Sequence, residues 1–254
     1  MCQFKSAIVL REPRNKGGCE LIHSFATDSH TDLIEAHKLR DDGKLRFARV
    51  EFVPGSDDWT DLAGYTLRID EERTPEWLDD KMKEAVADKL RAIVKTMIVP
   101  DGCEFLLGGA WIVKKGQAVH VGPNTLVVRN YGTVTRNYGT VTDNSGTVTR
   151  NYGTVTRNPG TVTDNSGTVT RNSGTVTDNY GTVTRNYGTV TVNSGTGTVT
   201  DNYGTVTRNS GTVTRNPGTV TRNPGTVTDN SGTVTKNDTR YGKGVVVSGT
   251  KALT

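Results

Sequence analysis

Cys2 is the side chain with the most direct route to chemistry. Removing Met1 would leave it as an N-terminal thiol whose own α-amine could act as the base for nucleophilic attack. The same residue also belongs to a short apolar run, 2–10 (CQFKSAIVL), and free cysteine is among the most often buried residue types. A second polar group gathers around His30, with Asp28, Asp32 and Glu35 nearby in the chain. It could form an acid–base pair or a weak metal site, and it is equally the acidic first turn that a helix dipole favours. His30 and His37 are two turns apart, not the four residues that place two imidazoles on one helical face for zinc. The chain holds no phosphate-binding glycine loop, no Ser/His/Asp arrangement and no paired-cysteine motif, so no metal or cofactor is expected.

The second set of candidates lies in a tandem repeat. From about residue 130 to 236 the chain repeats a heptad, Asn-x-Gly-Thr-Val-Thr-z, whose valine recurs from Val134 to Val190 and again from Val199 to Val234. The only break in register is the added pair Thr196-Gly197. Thr133 and Thr135, Thr154 and Thr156, and Thr168 and Thr170 flank the valines and should face outward in ranks. Such Thr-x-Thr ranks resemble those of insect and bacterial ice-binding proteins, which implies an ordered-water surface. Arg136, Arg150 and Arg185, each two residues before a tyrosine (Tyr138, Tyr152, Tyr187), could instead contact phosphates while the rings stack on bases. Asp interrupts that arginine column repeatedly, as a charge-mixed solvated surface would.

These residues need elements to hold them. Thr-Val-Thr alternates polar, apolar, polar, the pattern of a short strand buried on one face. Asn-x-Gly supplies the corner, where glycine and asparagine tolerate positive φ. Three strand residues and four corner residues suit the coils of a β-solenoid, in which each strand pairs with its copy in the next coil. One heptad is too short to close a coil, so a coil holds two or three. Stacking the z position two heptads apart gives six opposite and six like charge pairs; three apart gives four and seven. Like charges on adjacent strands destabilise, so two heptads per coil are expected. At about 4.8 Å per coil, this is a rod roughly 35 Å long.

The fold class is therefore a small α+β N-terminal domain followed by an all-β solenoid. Composition splits near residue 120: residues 1–120 carry 18 basic and 21 acidic side chains, residues 121–254 carry 13 and 6. The expected domains are 1–120, an α/β head that includes the solenoid cap at about 103–128, and 121–254, the repeats. In the head, strands are expected near 2–10, 20–24, 45–53 and 65–69, with short strands near 103–107, 110–113 and 118–121. A short helix is expected near 31–39, capped by Ser29 or Thr31. A long one should run from a Thr74 cap to about Ile98, with Pro75 in its first turn. The acidic run Asp70-Glu71-Glu72 reads as a solvated face. Cys2, Cys19 and Cys103 lack metal spacing and suggest free thiols in a reducing compartment. With no secretory signal and no run of ~18 apolar residues, synthesis in the cytoplasm is expected, without membrane insertion.

The opening MCQFKS, then DSHTDLIEA, FARVEF and RIDEERTPEW ahead of short repeats, resembles a group of uncharacterised bacterial and phage proteins. The resemblance covers the N-terminal half. It implies a modular protein with an α/β head and a variable repeat tail, often phage-associated, and it supplies no activity or site residue. The Met-Cys start is also similar to that of class II glutamine amidotransferases, although their Asn-Gly oxyanion element has no counterpart here. The function expected is non-enzymatic: a rigid spacer or display scaffold for an unidentified protein or surface, open to self-association and to a place on a virion. Ice binding, nucleic-acid binding and Cys2 catalysis are the alternatives.

Overall fold

The computed structural model describes residues 5–11, 19–25, 27, 29–40, 46–237 and 245–246. The chain divides into two compact units, Met1–Ile98 and Val99–Thr254.

The first unit is an antiparallel sheet with one helix against it from each of two segments. Its strands are β1 (Lys5–Arg11), β2 (Cys19–Ile22), β3 (Phe47–Val53) and β4 (Thr66–Ile69), in the order β2-β1-β3-β4. Central β1 and β3 carry the most buried residues, as expected of strands with neighbours on both sides. The register places Ile8 beside Ile22 and Leu10 beside Phe47. Ile8, Ile22 and Phe47 bury Leu33 of helix α1 (His30–Ala36) in one cluster. Ser29 is the α1 cap: its Oγ accepts from the Asp32 amide at 3.2 Å.

Helix α2 (Asp80–Met97) buries Val86, Leu90, Val94 and Met97 at helical spacing. It starts later than the sequence suggests. Asp79, not Thr74, is the cap, with its Oδ1 accepting from the Met82 amide at 2.8 Å. Residues 75–78 form a separate turn closed by the Leu78 amide on the Pro75 carbonyl. Both residues are good caps, and the carboxylate beside the continuous helix takes the role.

The second unit is a parallel β-solenoid. It opens with β5 (Phe105–Leu106), β6 (Ala110–Val113), β7 (Ala118–Val121) and β8 (Leu126–Asn130). Every heptad then adds one five-residue strand, from β9 (Thr133–Asn137) to β23 (Thr233–Asn237), and β24 (Val245–Val246) comes last. Even-numbered strands form one ten-stranded sheet and odd-numbered strands another. Within the repeats each strand pairs with the one 14 residues on, or 16 across Thr196-Gly197, as in Thr154↔Thr168, Val155↔Val169 and Asn158↔Asn172. A coil is therefore two heptads, closed within a single chain. The stretch near 103–128 is built into the first coils, and Val99 buries against the start of the valine columns.

The core is narrow: one valine and one asparagine per strand, nearly all fully buried. Valine is β-branched and suits a pleated strand. The asparagines form two amide ladders. Asn158 Nδ2 donates to Asn172 Oδ1 at 2.7 Å and to the Thr175 carbonyl at 3.1 Å, and the pattern repeats coil after coil. Along the ladders these bonds pair the buried amides without water, and Asn130 Oδ1, at the start of its ladder, has no partner among the described residues.

The corner glycines have a different role from the one expected. No repeat glycine has positive φ among the described residues; those that do are Gly102, Gly108, Gly109 and Gly116. Glycine is required because the corners stack too closely for a side chain. A Cβ on Gly167 would lie 2.1 Å from the Gly153 carbonyl oxygen of the coil before. The residue before each glycine is unconstrained, so Pro159 fits with only Gly160 donating to the Asn144 carbonyl. Thr196-Gly197 is absorbed as an outward bulge. Strand pairing holds across it (Thr189↔Thr205), the Gly197 amide closes onto the Ser194 carbonyl at 2.7 Å, and Gly197 takes over as the corner glycine.

Candidate functional site

The solenoid presents its variation on the outside. Within the heptad, Asn, Gly and Val are fixed and inward or tightly stacked. The corner residue x is Tyr, Ser or Pro, and z is Arg, Asp, Val or Lys. Any recognition by this unit must be written in x and z, over a constant floor of threonine.

The structure separates the candidate threonines by face. Thr133 and Thr135 lie on β9 in the odd sheet, whereas Thr154 and Thr156 (β12, Thr154–Asn158) and Thr168 and Thr170 (β14, Thr168–Asn172) share the even sheet. Thr154 and Thr168 are direct neighbours in adjacent coils. All six are half-buried, so ranks exist on both faces.

The arginines separate likewise. Arg136 and Arg150 are neighbours on the odd sheet, beside the corner carrying Tyr138 and Tyr152. Those two exposed rings stack at 5.0 Å with an interplanar angle of 10°. Arg185 lies on the even sheet, following Arg157 and Arg171 in one column. At the same level the odd sheet carries Asp164 paired with Asp178. Mid-solenoid, the two faces are alike in threonine and opposite in charge. Nearer the start, Asp143 is almost fully buried between Arg129, at 2.7 Å, and Arg157. Further along, Asp201 binds Arg215 at 2.9 Å and holds that guanidinium above its ordinary pKa. Asp143 and Asp201 therefore act as spacers between arginines.

In the first unit, Cys2 and Asp28 lie outside the described residues. His30 does not group with Asp32 or Glu35. Asp32 accepts from Thr27 Oγ1 at 2.7 Å, Glu35 is exposed, and His30 turns inward. Its Nδ1 lies 3.0 Å from Asp70 Oδ2 and its Nε2 lies 3.0 Å from the Val50 carbonyl. Glu51 joins them, with the three ligand-type atoms all within 4.8 Å of one another. The acidic run is correspondingly not a plain solvated face: Glu71 grips Arg49 through both oxygens at 3.0–3.1 Å. The expected absence of a metal-ligand grouping rested on spacing along the chain, and strand pairing brings together residues that such spacing cannot. The one local clue was Glu51, an acidic residue inside the apolar strand 45–53.

The fold and these surfaces define the chain as a two-sided β-solenoid protein with an α/β unit. No family model matches the chain, and no curated protein or solved structure is similar to it at a significant level. No helix among the described residues is long and apolar enough to cross a membrane.

Proposed function

We propose that this chain is a structural and interaction protein whose solenoid serves as a rigid spacer or display scaffold. The observation that carries the reading is the two-heptad coil, in which each strand pairs with its copy in the next coil, the one insertion at Thr196-Gly197 is absorbed, and the same Thr-Val-Thr strand and Asn-x-Gly corner recur. Such an array changes length without changing its core, and its uniform surface has no unique constellation for catalysis. Removing one coil, residues 154–167, should leave a folded protein whose melting temperature moves by only a few degrees. Loss of folding on that deletion would sink the spacer reading. The partner class follows from the charged faces: a protein or surface, or a second copy laid with its Asp164/Asp178 column against Arg157/Arg171/Arg185. Light scattering on the 27.4 kDa chain at low and high salt tests self-association. The setting suggested by the N-terminal resemblance is a phage particle, tested by immunoblotting of purified virions.

The stacked Tyr138/Tyr152 pair beside Arg136 and Arg150 supports a second reading, contact with single-stranded nucleic acid. Affinity for a single-stranded oligonucleotide should then fall steeply with salt and with Tyr152→Ala. The threonine ranks support ice binding, which requires thermal hysteresis that Thr154→Lys and Thr168→Lys abolish. A Cys2 enzyme requires labelling by an electrophilic glutamine analogue that Cys2→Ser removes.

A further inference from the structure

His30 is 7% exposed at the start of α1. A carbonyl only accepts, so the 3.0 Å contact to the Val50 oxygen assigns the hydrogen to Nε2. Nδ1 then faces Asp70 Oδ2 at 3.0 Å. In a neutral ring this sets a lone pair against a carboxylate oxygen, and a positive charge must lie between them. That charge is either a proton or a metal ion.

Two further residues favour the ion. Glu51 brings a second carboxylate to within 4.8 Å of both ligand atoms. Arg49, two residues before it on the same face of β3, is engaged by Glu71. Arg68 on β4 stands opposite Glu51 and shares the charge balance there, while the three convergent ligand atoms are of the types that bind divalent cations. Ser6 is the independent sign. It is the direct cross-strand partner of Glu51 and so projects from the same face of the sheet. It is fully buried, and its Oγ has no hydrogen-bond partner among the described residues. Cross-strand neighbours have Cβ atoms roughly 4.5–5.5 Å apart, which places Ser6 next to Glu51 on that face. Buried hydroxyls are normally paired.

We propose that His30, Glu51 and Asp70 hold a divalent transition-metal ion, with the Ser6 hydroxyl as a further donor to the ion or to a liganding carboxylate. The Nε2–H bond to Val50 is the outer hydrogen bond that orients a ligating imidazole. One imidazole with two carboxylates suits Mn²⁺ or Zn²⁺ and gives the three-ligand set that leaves a position open. The site lies in the α/β unit and is independent of the scaffold reading of the repeats.

Mn²⁺ is the better first probe, because soft sulfur ligands compete for it poorly. The full chain, stripped of metal, is titrated with Mn²⁺ and the free ion followed by electron paramagnetic resonance; a Zn²⁺ calorimetric titration runs beside it. The expected result is one ion per chain, with affinity lowered at least about tenfold by Glu51→Gln and by Asp70→Asn. Asp70 is exposed enough for its asparagine variant to fold, which circular dichroism confirms. Bound metal should also raise the melting temperature of the wild type and not that of Glu51→Gln. No binding of either ion by the wild type, or binding unchanged in both variants, overturns the site and leaves His30 as a structural hydrogen-bonding link between Val50 and Asp70.

Discussion

Asn172→Ala is the sharpest test of the amide ladder. Asn172 is fully buried in mid-solenoid. It accepts from Asn158 Nδ2 at 2.7 Å and donates to Asn186 Oδ1 at 2.8 Å and to the Thr189 carbonyl at 3.2 Å. Truncation removes these bonds, together with the one that Nδ2 donates to the Gly174 carbonyl at 3.1 Å, and orphans a donor on Asn158 and an acceptor on Asn186. At about 1–3 kcal/mol for each orphaned buried group, the expected loss is about 2–6 kcal/mol. Guanidinium unfolding followed by circular dichroism, compared at constant m-value, measures it. Asn216→Ala, which removes the last described bond of that ladder, from Asn216 Nδ2 to Asn230 Oδ1 at 2.7 Å, should cost less because end coils open locally. Asn172→Asp refines the test. The carboxylate still accepts from Asn158 but points its other oxygen at the acceptor of Asn186. Its folded-state pKa is then raised, so the variant should regain stability as pH falls through that value. An Asn172→Ala loss below about 1 kcal/mol, or an Asn172→Asp variant with the wild-type pH profile, would refute the ladder as a source of stability.

Three other outcomes are expected. Gly167→Ala, whose Cβ would meet the Gly153 carbonyl oxygen at 2.1 Å, should cost about 3 kcal/mol or more, whereas Gly195→Ala, with nothing within 4 Å, should lie within about 0.5 kcal/mol of wild type. Val169→Ala removes two buried methyl-equivalents and should cost about 1.6 kcal/mol before any cavity contribution; both are read from chemical unfolding. Burial and then Lys5 lower the pKa of His23 below its ordinary 6.5. Its stability contribution is therefore intact above 6.5 and lost as pH falls through the depressed value, and His23→Gln should flatten that part of the pH–stability curve.

The solenoid was legible because three demands recur in every heptad. A buried valine, a buried asparagine and a corner glycine each mark one position, and repetition turns a weak local signal into a period. The count of z-position charges chose the right coil, although like and opposite pairs occur equally often in it, so charge is not what closes the coil. The reason for glycine was not legible. Dihedral reasoning considers one corner at a time, whereas the constraint is the Gly153 oxygen 14 residues before Gly167. In the α/β unit, the α2 start shifted because Thr74 and Asp79 are both competent caps and only the Pro75–Leu78 turn decides between them. His30, Glu51 and Asp70 come together through the pairing of β3 with β4, where Val50 lies opposite Ile69. No spacing rule along the chain contains that register.

The division of labour within the heptad explains how such a chain can change its surface without risk to its fold. Thr, Val and Asn satisfy the strand, the core and the ladder, and Gly satisfies the corner. The x and z side chains point into solvent, where Tyr, Ser and Pro, or Arg, Asp and Val, are interchangeable in the same backbone. Stacked like charges, such as Arg157 on Arg171 and Arg171 on Arg185, cost little there, because exposed charges interact weakly in water. The exception is Asp143, which is buried and held from both sides by Arg129 and Arg157. At that level, early in the array, a z residue has become part of the structure, and exchanging it should cost stability where exchanging exposed Asp229 should not.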